Sequence, residues 1–263
     1  MNRNRQLARI VFALGMMSVG VLALVYGYSV LVFQPVPAWV PWPTGLGYAS
    51  GVLMLATGAG LLFEGTTRPA IRILLPFLLL WTLTRLPVPV ADPLREISWF
   101  AVGEIAVLAA GAMVLLDRHA GLNSGSTLQL AVRNHGVRIA RILFALSVVT
   151  FGLSHFFEFA ARTVSLVPPW LPYRRGWAYL TGAGQVAAGL GVLFSIYPRL
   201  AASAEAAMLS LFTLLVWVPA VLTSPTIRSN WAEFLFSWAL AGAAWVVAES
   251  IPAQRSEGDT PAG

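Results

Sequence analysis

Apolar residues fall in long unbroken runs separated by short polar stretches. Eight runs stand out: Ile10–Phe33, Gly45–Phe63, Ile71–Leu86, Trp99–Leu116, Ile139–Ala160, Trp177–Tyr197, Ala201–Leu222 and Trp231–Ala248. Most approach the roughly 20 residues that an α-helix needs to cross a bilayer. Their continuity, without alternation of period two, argues against barrel strands. The pattern predicts an all-α integral membrane protein with eight transmembrane helices. The third run is short and holds Pro76, which predicts a kink or tilt. Arg3, Arg5 and Arg9 ahead of the first run look like the start of a signal peptide. The run is too long for a typical signal core, so it is expected to remain as a helix.

The first half of the pattern recurs in the second. Arg9-Ile-Val-Phe-Ala-Leu matches Arg141-Ile-Leu-Phe-Ala-Leu at an offset of 132, and Pro37-Ala-Trp39-Val-Pro41 matches Pro168-Pro-Trp170-Leu-Pro172 at 131. Gly51, Gly58, Gly60, Leu62 and Phe63 then match Gly182, Gly189, Gly191, Leu193 and Phe194. Between Pro37–Phe63 and Pro168–Phe194, 11 of 27 positions are identical. Shared Pro, Trp and Gly at fixed spacing predict a duplicated four-helix unit. With an even number of helices per unit, the two copies are parallel repeats about an axis along the membrane normal. The expected division is a first unit at 1–116, a cytoplasmic linker at 117–138, a second unit at 139–250 and a disordered polar tail at 251–263.

Composition agrees with lipid as the solvent. The chain is 57% hydrophobic and 11% charged, with a mean hydropathy of +0.73. A soluble domain carries roughly 25% charge. The absence of cysteine excludes disulfides, thiol nucleophiles, iron–sulfur clusters and thiolate zinc sites. All 17 basic residues are Arg, and the net charge of +6 is read as the positive-inside bias rather than as a nucleic-acid surface. With the N-terminus inside, 11 Arg fall on inner segments and 6 on outer ones. Both termini are therefore expected in the cytoplasm, in a bacterial inner membrane. Of the 10 Trp, many lie near run ends, as in an interfacial aromatic belt.

The second half reads Gly152-Leu-Ser-His155-Phe-Phe, then Val167-Pro-Pro-Trp-Leu-Pro172, then Thr181-Gly-Ala-Gly-Gln185-Val-Ala-Ala-Gly189-Leu-Gly-Val-Leu-Phe. This resembles the DoxX-like family of small bacterial membrane proteins, across both halves and more clearly in the second. The resemblance implies a four-helix unit with an Arg-led first helix, a Pro-rich outer loop and a Gly-rich second helix. It also implies an accessory or scaffold role in a membrane redox system, with redox proteins as partners. The chain departs from the family pattern at one place. The usual Glu of the second helix is Gln185 here and Met54 in the first half.

Ionisable groups within apolar runs are the default place to look for function, because their burial is unfavourable. His155 and Glu158 lie three apart on the fifth helix and share a face. Gln185 sits near mid-depth on the sixth, and Glu104 lies inward from the outer end of the fourth. Arg174 and Arg175 form a basic pair on an outer loop. Together with Glu233, Arg85 and Arg162 these groups sketch a polar vestibule opening outward. The candidate ligand-binding residues are His155, Glu158, Gln185, Glu104, Arg174 and Arg175, with Glu158 expected to orient His155. One His–Glu pair falls short of the three or four ligands of a metal site. No catalytic residue is assigned, and the reading leans away from an enzyme. The alternative to an accessory subunit is a binder or carrier of a small lipophilic molecule. No cofactor is predicted, although a quinone would suit the vestibule. The other expected contact is the lipid bilayer.

Overall fold

The computed structural model describes residues 2–27, 41–119 and 127–252, with side chains from residue 135 onward in the last stretch. All regular structure among them is helical: α1 (Arg3–Tyr26), α2 (Pro43–Leu62), α3 (Glu64–Arg85), α4 (Pro87–Ala91), α5 (Glu96–His119), α6 (Thr127–Ser154), α7 (Ala160–Leu166), α8 (Arg174–Leu193), α9 (Pro198–Phe212), α10 (Val218–Thr223) and α11 (Arg228–Ala248). The Pro37–Pro41 segment with Trp39, the Gly/Ser stretch at 120–126 and the tail from 253 lie largely or wholly outside the described residues.

Among the described residues, seven helical segments are long and apolar enough to cross a membrane: Arg3–Tyr26, Pro43–Leu62, Glu64–Ala91, Glu96–His119, His135–Ser154, Pro198–Thr223 and Arg228–Ala248. The eighth expected span, α8, has the length but is less apolar. It carries Arg174, Arg175 and Gln185, and five glycines. The third helix differs from its expectation. It begins at Glu64, taking in Arg68, which the apolar run left out, and continues through both Pro69 and Pro76. The expected linker also contracts. With α5 running to His119 and α6 starting at Thr127, only residues 120–126 remain between them. No Gly or Pro interrupts Thr127–His135, so helix propagates through it.

Glycines set the helix crossings. A Cβ on Gly51 would lie 3.0 Å from the Gly20 carbonyl oxygen, and one on Gly58 would lie 2.9 Å from the Ala13 carbonyl oxygen, so α1 and α2 meet backbone to backbone. The same contacts recur between α6 and α8. Gly182 faces the Gly152 carbonyl at 2.9 Å, and Gly189 faces the Ala145 carbonyl at 2.7 Å. In lipid such contacts replace the hydrophobic drive by dispersion and close dipolar approach. Other details recur as well. Trp42 and Tyr173, which precede α2 and α8, both have positive φ, at 56° and 54°. The Trp99 indole donates to the Pro93 carbonyl, as Trp231 does to that of Pro225.

Neighbouring helices form a ring in the order α1, α2, α3, α5, α6, α8, α9, α11 and back to α1, with α5 and α11 also touching across the middle. The two halves are thus joined at three places, α1–α11, α5–α6 and α5–α11. Gly15 lies on Ala239, Gly242 on Phe12, Gly103 on Ser147 and Gly111 on Ala243. The Ala- and Gly-rich stretches Ala109–Ala112 and Ala239–Ala244 are buried on every side, as befits central helices.

Candidate functional site

A cavity of about 970 Å³ opens near the ends of the helices expected outside, lined mainly by the second half and closed on one side by α5 and the end of α3. Helical spacing explains its walls. Ile97, Ala101 and Glu104 project from α5, Ala178, Thr181 and Gln185 from α8, and Glu233, Ser237 and Leu240 from α11, each set spanning two turns on one face. Val167, Pro168, Trp170 and Leu171 supply a roof, and Arg85 enters from the end of α3. The lining surface is largely apolar and aromatic, and six ionisable side chains also reach it: Arg85, Arg95, Glu104, His155, Arg162 and Glu233.

A π-turn shapes one wall. Pro219 has no N–H to give the Leu215 carbonyl, and the Val218 N–H reaches back five residues to Thr213. The widened turn places Leu215, Val216 and Trp217 consecutively on the lining, which a regular helix face would not do.

His155 follows the last residue of α6. Its Cβ lies where a Gly182 side chain would begin, at 2.5 Å, so the bare glycine admits the ring. His155 Nδ1 is 2.7 Å from the Ala178 carbonyl oxygen, and the ring stacks near Phe212 with centroids 6.5 Å apart. The residue is buried and lines the cavity.

Two turns along α8 from Ala178, Gln185 Nε2 donates to Glu205 Oε1 at 3.1 Å. Both residues are buried, Glu205 completely. Gln185 lines the cavity, and Glu205 backs it. The remaining oxygens, Gln185 Oε1 and Glu205 Oε2, are sealed from solvent and have no hydrogen-bond partner among the described residues. Toward the end expected outside, Glu104 lies within electrostatic reach of Arg85 and Glu233, and Glu233 within reach of Arg162.

The structure gathers His155, Gln185 and Glu104 around one cavity and sets the other three expected site residues outside its lining. Glu158 does not orient His155. It receives two hydrogen bonds from Arg95, from Nε at 3.2 Å and Nη2 at 2.9 Å. Those bonds hold its carboxyl below the ordinary value of 4.5. Beside it, the Phe159 N–H donates to Glu96 Oε1 at 3.3 Å. The turn after His155 is therefore tied to the start of α5. The i,i+3 argument for the His–Glu pair failed because α6 ends at Ser154, and residues beyond it no longer share a helix face. Arg174 donates to the carbonyls of Val167 and Ser165 at 2.9 and 2.8 Å, which closes the Pro-rich roof. Arg175 is exposed and off the lining.

Glu205 is the residue that sequence reading passed over. Its signal was present: one acid in Ala-Ala-Ser-Ala-Glu-Ala-Ala-Met, inside an apolar run. Among the described residues no group of three or more His, Asp or Glu is placed to hold a metal.

Residues 144–248 match the model of a Domain of unknown function (DUF8561). The match begins within α6 and runs to the end of α11, so it includes most of the cavity lining. No curated protein and no solved structure matches the chain.

Proposed function

We propose that this chain is an eight-span membrane protein, built from two parallel four-helix units, that binds a small lipophilic molecule in an outward-facing cavity lined mainly by its second unit. The observation that carries the reading is the cavity. Its volume of about 970 Å³ falls at the upper end of small-molecule sites, roughly 300–1,000 Å³, and its apolar lining with a few convergent polar groups is of the kind such sites show.

The two-unit reading is supported by the recurring glycine contacts, by the paired positive-φ residues before α2 and α8, and by a ring in which each unit's fourth helix packs on the other's first. The family match, confined to one unit, fits the same division. The Arg distribution, 11 inner to 6 outer, supports cytoplasmic termini in a bacterial inner membrane. The accessory role in a membrane redox system rests on the DoxX-like resemblance alone, and the cavity favours the binder.

The test is purification in mild detergent followed by organic extraction. A lipophile should be recovered at about one per chain, and Ala207→Trp, which fills the cavity from α9, should remove it while the protein stays monodisperse. Equal recovery from both proteins would contradict the assignment.

A further inference from the structure

The hydrogen bonds around His155 define what the cavity asks of its ligand, given the binding reading above. The Ala178 carbonyl oxygen can only accept, so the hydrogen of the 2.7 Å contact sits on His155 Nδ1. Thr181 Oγ1 lies 3.4 Å from the same nitrogen, but its single hydrogen is directed to the carbonyls of Trp177 and Ala178, at 2.9 and 3.0 Å. It does not supply a proton to the ring. The tautomer is therefore fixed by backbone. The expected carboxylate partner, Glu158, is held by Arg95 instead. A ring buried beside Gly182 and Phe212 with no carboxylate bonded to it stays neutral. Nδ1–H in a neutral ring leaves a lone pair on Nε2. Among the described residues nothing hydrogen-bonds Nε2, and it is not among the sealed polar atoms, so it keeps accessible surface on a residue that lines the cavity.

We propose that the cavity selects lipophiles bearing a hydroxyl or N–H donor, and that His155 Nε2 accepts that hydrogen. The ligand class is a hydroxylated aromatic or alicyclic lipophile, such as a phenol, rather than its ether or a bare hydrocarbon. The apolar and aromatic walls take the hydrophobic body, and His155 reads one hydrogen at its polar end.

The test compares hydroxypyrene with methoxypyrene, which differ by that hydrogen. Binding to the full-length protein in detergent is read by energy transfer from tryptophan, with the Ala207→Trp signal subtracted as partitioning background. The wild type should prefer the hydroxyl compound by roughly fivefold to tenfold, the worth of one net hydrogen bond. This comparison needs no folded variant at His155. Two substitutions then locate the acceptor. His155→Asn places an amide N–H where Nδ1 stands and removes Nε2, so the preference should vanish. His155→Gln carries an oxygen near the position of Nε2, so part of the preference should return. Equal binding of both compounds by the wild type would overturn the donor rule while leaving the cavity reading intact. A preference that survives His155→Asn would place the acceptor elsewhere and overturn the assignment. Binding of neither compound above background would overturn both readings.

Discussion

The two halves cross their helices in the same way and fill one crossing with opposite chemistry. Gly51 meets Ala23 where Gly182 meets His155, and Gly60 meets Ala70 where Gly191 meets Ala201. That register pairs Ala23 with His155, Met54 with Gln185 and Leu74 with Glu205. The first three are apolar and fully buried. The second three are polar and also buried, with two of their oxygens unpartnered. An acidic group at the centre of a membrane helix costs roughly 2.5–3.5 kcal/mol on the insertion scale. The first half shows that the packing does not require that cost, because Met and Leu satisfy the same positions. The polar triad is thus an addition to positions that apolar residues fill in the first half, which supports the proposal of a site beside it.

The largest expected effect tests the shared scaffold. Gly58→Leu and Gly189→Leu should each destabilise by about 1–3 kcal/mol or more, because each new side chain meets a backbone carbonyl within 3 Å. Thermal unfolding in detergent should show comparable losses. A variant that unfolds like wild type on one side alone would break the equivalence of the halves.

A cycle through the polar pair comes next. Glu205→Leu leaves Gln185 buried without its acceptor and should cost about 1–3 kcal/mol. Gln185→Met together with Glu205→Leu installs the apolar pair of the first half and should recover most of the loss. Additive losses in the double variant would mean that the two positions are not the counterparts of Met54 and Leu74.

The smallest effect concerns the turn that carries His155. Because the Arg95 bonds depress the Glu158 carboxyl in the folded state, their contribution is full above the unfolded value. It fades as pH falls through the folded one. Both side chains are about half exposed, so the contribution is modest. The Tm difference between wild type and Glu158→Gln should shrink as the pH drops below about 4.5. A difference that grows with acid would reverse the sign of the coupling.

Much of the fold could be read from the sequence, because long apolar runs and Gly, Pro and Trp at fixed spacing act locally. The Gly182–Gly189 face is an example: two glycines on one stripe demand a close neighbour, and α6 supplies it. His155, Gln185 and Glu104 could be picked out as polar residues in apolar surroundings. Other features depended on distant partners. Glu158 and Arg174 were singled out by charge, but Arg95 and two loop carbonyls decide what they do. Glu205 became conspicuous only with Gln185 against it, twenty positions away in sequence and one helix away in space. The π-turn depends on Pro219, whose effect on the preceding turn shows in hydrogen bonds and not in hydropathy.

The central claim is that the second half holds a ligand site and the first does not. Photolabelling in native membranes with a small lipophilic diazirine tests it most directly, when the saturable label is separated from bulk lipid labelling by competition with excess unlabelled probe. The account predicts that saturable label falls on cavity-lining peptides of the second half, around Trp177 and Phe212–Trp217, and is lost in Ala207→Trp. Saturable label shared equally between α2–α3 and α8–α9, or none at all, would contradict it.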